Sequence, residues 1–205
     1  MREIAVLDYG LGNLRSVARA IERVGGRAVV TADAATAMDA DALVLPGVGA
    51  FGACMRNVRE RGFEPVIMQA AAAGRPVLGV CLGLQILFDG SDEADEAGLG
   101  VIPGRVERLP SSVKVPHMGW NEVGWTRPHP VADRVPSGNH FYFGHSFAVP
   151  ADNPATVGTA EHGRPFAAAV AAGSVLATQF HPEKSGQSGL AIYEWFVRQV
   201  KEVAA

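Results

Sequence analysis

The sequence is poor in cysteine, in excess charge of either sign and in long apolar runs. Two cysteines among 205 residues are too few for a disulfide framework or a cysteine-rich zinc site. The 18 Lys and Arg against 21 Asp and Glu leave a net charge of −3, so no broad basic face for nucleic acid or an anionic membrane is expected. The longest apolar stretches, residues 42–55 and 166–180, are shorter than the ~20 residues of a membrane-spanning helix.

The first residues also lack the long apolar region of a secretory signal peptide, because Asp8 follows a short apolar run. We therefore expect a cytoplasmic protein, in a reducing compartment where chemistry explains an unusual cysteine better than a disulfide does. The 48% hydrophobic content predicts a globular chain with one core and one domain over residues 1–205.

The order of apolar patterns predicts an α/β fold. In the first half, short strand-like runs alternate with segments whose apolar residues recur at helical spacing, which is typical of βαβ units. The runs at residues 42–45 and 76–80 resemble buried parallel strands. After about Gly104, short strand-like pieces separated by Pro, Asn and Gly predict a mixed or antiparallel extension, and a helix closes the chain. We expect a central, mostly parallel sheet flanked by helices.

The pattern around Cys81 indicates chemistry. A strand-like run is followed by Gly79-Val80-Cys81-Leu82-Gly83 and a helical pattern, which is the nucleophile-elbow arrangement with Cys in place of Ser. The sharp turn strains its apex residue, and the flanking glycines leave room for it. The start of the helix favours a thiolate, and the Leu82 amide can donate to an oxyanion. The alternative is that Cys81 is a small buried apolar residue.

A cysteine nucleophile needs a base, and His181 is the best placed of the six histidines. It ends an apolar strand, and Glu183 would share its side of an extended segment and orient the imidazole. The alternative is a surface turn with a solvated ion pair. The spacing of the other histidines does not suit a metal, so no metal site is predicted.

Three further segments each allow two interpretations. The turn at residues 45–52 could complete an oxyanion hole or be an ordinary βα turn. The loop at residues 10–15 resembles a dinucleotide-binding turn, but Arg15 stands where the third glycine belongs, so Asn13 is read as a helix cap or a partner contact. Residues 116–121 form a predicted loop whose Met118 and Trp120 suit a protein interface, although a core Trp is an equal alternative.

These motifs resemble those of the class I, triad-type glutamine amidotransferases. The match extends almost end to end and comprises residues 7–16, 46–51, 79–85, 116–121 and 179–185. The first and fourth segments resemble the glutaminase subunits of imidazole glycerol phosphate synthase. The resemblance implies a flavodoxin-like amidotransferase domain that needs no cofactor and hydrolyses L-glutamine to glutamate and ammonia. It also implies a heterodimer with a cyclase subunit, which uses the ammonia in histidine biosynthesis to make imidazole glycerol phosphate and aminoimidazole carboxamide ribonucleotide.

The resemblance also implies a role for individual residues. Cys81 would be the nucleophile, His181 the base and then the acid, and Glu183 its orienter, with Val48 and Leu82 supplying oxyanion amides. The implied substrate contacts are Gly47, Gly49, Gln85, Glu93, His145 and Ser146, and the implied cyclase contacts are Asn13, Met118, Trp120 and Lys184. Phe147 and Leu84 depart from the family, which often has Tyr and Met there. We expect low activity until the cyclase binds its nucleotide and the Val48 amide reorients.

Three alternative functions stay open. Another amidotransferase, such as the anthranilate-synthase type, would usually have His where Leu84 stands and would lack the Met-Gly-Trp-Asn motif. A stand-alone cysteine peptidase or amidase would act without a partner and without preference for glutamine. A silent binding subunit would tolerate the substitution Cys81→Ala.

Overall fold

The computed structural model describes residues 2–202 and contains twelve strands and six α-helices in that range. The strands are β1 (Glu3–Leu7), β2 (Arg27–Thr31), β3 (Ala42–Gly47), β4 (Val77–Cys81), β5 (Gly90–Ser91), β6 (Arg105–Arg108), β7 (His117–Trp125), β8 (Asn139–His145), β9 (Phe147–Ala148), β10 (Thr156–His162), β11 (Arg164–Ala172) and β12 (Val175–Thr178). The helices are α1 (Leu14–Arg23), α2 (Ala34–Asp39), α3 (Phe51–Glu60), α4 (Phe63–Ala72), α5 (Leu82–Gln85) and α6 (Gly186–Glu202), with 3₁₀ turns at Pro130–Asp133 and Pro182–Lys184.

Nine strands form one sheet in the order β2-β1-β3-β4-β12-β11-β10-β7-β8. The five strands from β2 to β12 pair in parallel, and the remaining pairs are antiparallel. Strands β5, β6 and β9 form a second, small sheet. The prediction of a mostly parallel α/β sheet with an antiparallel extension is therefore confirmed.

A hydrophobic core lies on each face of the large sheet. Along β1, Ala5 and Leu7 belong to the core under α3 and α4, whereas Ile4 and Val6 belong to the core under α1 and α6. This alternation is the two-residue period of a strand buried on both faces. Because β3, β4 and β12 run in parallel between the two cores, their carboxyl ends meet at one edge of the sheet.

One local prediction was wrong, and one of the two interpretations of Asn13 is excluded. Residues 117–121 are not a loop but the first part of β7, which pairs with β8 from His117 to Val123. Strand alternation there exposes Met118 and Trp120 and buries His117. Asn13 precedes α1, but its side chain makes no capping hydrogen bond. Within residues 2–202, no helix has both the length and the apolar character to cross a membrane.

Candidate active site

Cys81 occupies a sharp turn between β4 and α5. It has φ of +54°, and no other non-glycine residue in the range 2–202 has positive φ. A Cβ on Gly83 would lie 1.8 Å from the carbonyl oxygen of Leu45, and one on Gly79 would lie 2.8 Å from the Cβ of Ala177. The predicted strand, turn and helix are therefore present, and glycine is needed at both positions because the backbones are in close contact.

His181 and Glu183 lie just beyond β12, beside the elbow. The Nδ1 atom of His181 is 3.0 Å from Oε1 of Glu183, and both side chains are buried. The connection is a 3₁₀ turn rather than the expected extended segment, because Pro182 starts a helical turn with its fixed φ. The pair nevertheless forms, and the Ser185 hydroxyl holds the turn by donating to the carbonyl of His181 over 2.6 Å.

The charge state of His181 is decided by its two neighbours. Burial on its own lowers the pKa of this imidazole, but hydrogen bonds and charge interactions with Cys81 and Glu183 raise the pKa to about 10. Because Nδ1 is bonded to Glu183, Nε2 is the nitrogen that remains for the Cys81 sulfur. The arrangement thus favours the imidazolium form of His181 beside the Cys81 sulfur.

A pocket of about 190 Å³ opens beside the Cys81 thiol. This volume is below the ~300–1,000 Å³ of pockets for drug-sized ligands, so it suits a ligand as small as an amino acid. Its lining residues are Val48, Gly49, Cys81, Leu82, Gln85, Glu93, Pro116, Met118, Gly144, His145, Ser146 and Phe147. Of the predicted substrate and oxyanion residues, only Gly47 is absent from the lining; a Cβ there would lie 2.7 Å from the Cβ of Leu82.

Two polar side chains on the pocket wall, one carboxylate and one amide, form hydrogen bonds with backbone groups. Glu93 accepts from the amide of Phe51, the first residue of α3, over 2.9 Å. The positive end of that helix stabilises the carboxylate. Gln85 is buried and donates to the carbonyl of Phe147 over 2.9 Å. Both side chains are thereby fixed before any ligand arrives.

Both ring nitrogens of His145 are bonded within the protein. Its Nδ1 is 2.9 Å from the carbonyl oxygen of Phe147, and its Nε2 is 2.9 Å from Nδ1 of His117. Burial lowers the pKa of His145 to about 3 and that of His117 to about 4. Because the carbonyl can only accept, His145 donates through Nδ1 and accepts at Nε2 from His117.

The motifs and the geometry agree with the comparison against known families. Residues 5–200 match the family model described as glutamine amidotransferase class-I. The chain belongs to the class-I glutamine amidotransferase family. The resemblance inferred from its motifs is confirmed.

Curated relatives and solved structures match over nearly the whole amidotransferase chain. The imidazole glycerol phosphate synthase subunit HisH of Moorella thermoacetica is 45% identical over 203 residues, 98% of this chain and 97% of the relative. The subunit of the same name from Syntrophotalea carbinolica is 50% identical over 202 residues, 94% of this chain and 98% of the relative. The crystal structure of a glutamine amidotransferase superposes with a TM-score of 0.76 at 21% identity, covering 97% and 98% of the two chains, which supports the fold.

An exposed patch of the amidotransferase adjoins the mouth of the pocket. We call Met118, Trp120, Tyr142 and Lys184 the Trp120 patch. Met118 is 67% exposed and Trp120 58% exposed, and Met118 also lines the pocket. The Trp120 and Lys184 side chains both contact Tyr142, with the Lys184 Nζ 5.4 Å from the ring centroid. The fourth predicted interface residue, Asn13, lies at the start of α1.

Sequence reasoning assigned no role to Gln179, His117 or Tyr142. Gln179 is fully buried, and its Nε2 lies 3.6 Å from Sγ of Cys81. Its position two residues before His181 was visible in the sequence, but a glutamine in that position has many possible partners. Among residues 2–202, no group of three or more His, Cys, Asp or Glu side chains is arranged to hold a metal ion.

Proposed function

We propose that this chain is the glutaminase subunit of an imidazole glycerol phosphate synthase. It hydrolyses L-glutamine through Cys81, His181 and Glu183 and passes the ammonia to a cyclase subunit, in the cytoplasm. The observation that carries the proposal is the geometry at the sheet edge, where Cys81 at a left-handed elbow meets an imidazole whose other nitrogen is 3.0 Å from Glu183. The HisH relatives, 45% and 50% identical, support the choice of this synthase within the family.

The first half of the reaction forms a thioester. The Cys81 thiolate attacks the side-chain amide carbon of glutamine, and the carbonyl electron pair moves onto oxygen. The carbon–nitrogen bond then breaks while the His181 imidazolium donates its proton to the leaving nitrogen, so that ammonia departs. The raised pKa of His181 supports this step because the ring carries its proton at neutral pH.

The second half releases glutamate. The now neutral His181 accepts a proton from water, whose oxygen attacks the thioester carbon. The carbon–sulfur bond breaks, the thiolate of Cys81 is restored, and the carboxylic acid loses its proton to solvent. Glu183 orients the imidazole in both halves through Nδ1 and stabilises its charged form.

The negative oxygen of each tetrahedral intermediate needs amide donors near Cys81. Leu82 begins α5, so its amide has no partner within the helix, and it would donate to the oxyanion. Val48, in the turn after β3, would supply the second amide after the turn reorients. Gly49, Gln85, Glu93, His145 and Ser146 line the same pocket and would hold the glutamine, while Gly47 would let the Val48 turn approach Leu82.

The Trp120 patch and Asn13 would contact the cyclase. Exposed Met and Trp side chains are typical of the centre of a protein interface. Since Met118 lies both on the patch and on the pocket wall, a partner seated there would touch the site where ammonia is released. This position also suits activation of the glutaminase by the bound partner.

The test measures glutamate released from glutamine by the purified chain, alone and with a cyclase subunit plus the cyclase's nucleotide ligand. We expect strong stimulation by the liganded cyclase and complete loss in Cys81→Ala. The matched control is Cys54→Ala, which removes the other cysteine; Cys54 is buried on α3 and burial raises the pKa of its thiol to about 12. Cys54→Ala is expected to retain turnover.

Each other result would assign the chain differently. A rate of glutamate release that does not change when the cyclase is added would indicate another amidotransferase. Hydrolysis of peptides without preference for glutamine would indicate a cysteine peptidase or amidase. Absence of turnover in the complex would indicate a silent binding subunit.

A further inference from the structure

Gln179 contacts the reactive sulfur from inside the fold. Its side chain is fully buried directly after β12, and its Nε2 lies 3.6 Å from Sγ of Cys81. Its Oε1 is 3.1 Å from Nε2 of Gln85, which comes from α5 on the other side of the elbow. A buried amide with both of its ends engaged is held in one orientation.

The identity of the atom that faces the sulfur follows from a backbone carbonyl. The oxygen of Phe147 can only accept, so the Gln85 atom 2.9 Å away must be its NH₂ group. The same NH₂ group lies 3.1 Å from Gln179, and the atom that receives its second hydrogen must be Oε1. The remaining terminal atom of Gln179, the one that faces Cys81, is therefore Nε2, a donor. The reverse orientation would oppose two NH₂ groups and aim an oxygen at the sulfur.

A donor aimed at sulfur favours the thiolate over the thiol. An anionic acceptor binds an N–H more strongly than a neutral one, and a thiol sulfur is a weak acceptor. Gln179 adds a donor to the thiolate without adding charge to a buried site. We propose that Gln179 is a further catalytic residue, whose side-chain amide stabilises the Cys81 thiolate in an orientation set by Gln85. This inference rests on the proposed role of Cys81 as the nucleophile.

The experiment measures the pH dependence of Cys81 alkylation by iodoacetamide in the full chain, with the modified cysteine identified by peptide mapping. Iodoacetamide reacts with the thiolate, so the midpoint of the pH profile reports the stability of that form. In Gln179→Met, which keeps the length of the side chain but removes the donor, we expect the midpoint to rise by about one pH unit, and the rate at any pH below both midpoints to fall about tenfold.

Two further variants separate this effect from loss of packing. Gln179→Glu keeps the shape and the acceptor for Gln85 but replaces the donor with an oxygen, so it should raise the midpoint at least as far as Gln179→Met. Thr178→Val is the matched control: it removes the hydroxyl that donates to the carbonyl of Phe180 over 3.0 Å, at the equally buried position just before Gln179. It should lower stability and leave the midpoint in place.

The proposal is overturned if either folded Gln179 variant keeps the wild-type midpoint, or if Thr178→Val shifts it equally. Circular dichroism identifies the folded variants, and Gln179→Glu carries the test should Gln179→Met not fold. Failure of the proposed function is visible separately: the wild-type chain, in complex with the liganded cyclase, would release no glutamate even though Gln179 variants shift the alkylation midpoint of Cys81.

Discussion

Two buried histidines near one end of the sheet have opposite charge behaviour. His181 is 4% exposed and His145 is 5% exposed, so burial opposes the charged form in both. His181 contacts Glu183 and Cys81, and its pKa is raised to about 10. His145 contacts a backbone carbonyl and another imidazole, and its pKa falls to about 3. Burial therefore makes charge costly at both sites, and an anionic partner decides whether the proton is retained.

The difference in pKa gives the two histidines different roles within one site. His181 carries a proton that the proposed reaction transfers, whereas neutral His145 holds neighbouring groups in place. The carbonyl of Phe147 accepts from both His145 and Gln85, so the imidazole pair and the amides next to Cys81 belong to one hydrogen-bonded set. Neutral groups with fixed donors and acceptors give such a set a single orientation.

The largest expected effect comes from exchanging each histidine for Asn. His181→Asn should lower kcat for glutamate release by roughly 10²–10⁴-fold, because the proton donor and acceptor is lost. His145→Asn should lower kcat less than about tenfold but reduce stability, since a buried hydrogen bond is lost. Steady-state kinetics on the cyclase complex and denaturant unfolding test the pair. Equal losses of kcat would remove the functional distinction between the two rings.

Glu183→Gln removes the anion that distinguishes His181. We expect kcat to fall about 100-fold or more, because the imidazolium loses its charged partner and its orientation. The pKa of His181 should also fall, so the alkaline limb of the pH–rate profile should move to lower pH. The comparison to make is the profile of kcat between pH 5 and 10 for both proteins. An unchanged alkaline limb would show that Glu183 does not support the charge of His181.

Stability should depend on pH in opposite directions for the two kinds of histidine. The pKa values of His117 and His145 are lowered to about 4 and 3, so below pH 6.5 the unfolded state binds protons that the folded state excludes. Their contribution to the free energy of unfolding therefore decreases as the pH is lowered. At pH 5 it is about 2 kcal/mol per histidine smaller than at neutral pH. His181 behaves oppositely: its contribution is complete below pH 6.5 and is lost as the pH rises towards 10.

Urea unfolding at pH 7.5 and pH 5 measures the first of these contributions. Between these two pH values, His117 titrates in the unfolded state only. The free energy of unfolding of His117→Asn should therefore decrease by about 2 kcal/mol less than that of wild type when the pH is lowered from 7.5 to 5. Equal losses for wild type and variant would mean that His117 is protonated in the folded protein.

The smallest expected effect comes from giving His117 an anionic neighbour of its own. The Asn121 Nδ2 lies 3.3 Å from Nε2 of His117 and donates to it, which supports the neutral ring. Asn121→Asp replaces this donor with a carboxylate and should raise the pKa of His117 by about one unit, since Asn121 is only half-buried and solvent screens the charge. NMR titration of the His117 ring proton tests this, with Asn121→Ala as the uncharged control.

Much of this site could be predicted because its signals are local. The Cys81 elbow requires one strand, one turn and two glycines, all within residues 77–85. The signal for the His181–Glu183 pair was also local. We expected an extended segment there and the structure has a 3₁₀ turn, but this turn also brings the two side chains together. Residues 116–121 were predicted as a loop from their Pro and Gly, but pairing with β8 makes residues 117–121 a strand.

What the sequence determined by itself was the alternation of strands and helices, the positions of the glycines and the residue types able to carry the chemistry. Only the tertiary structure decided their partners. Gln85 and Gln179 meet across 94 positions, and His117 and His145 across 28. A hydrogen bond between distant residues depends on sheet order and register, which emerge from the packing of the whole core and leave no signal in either local segment.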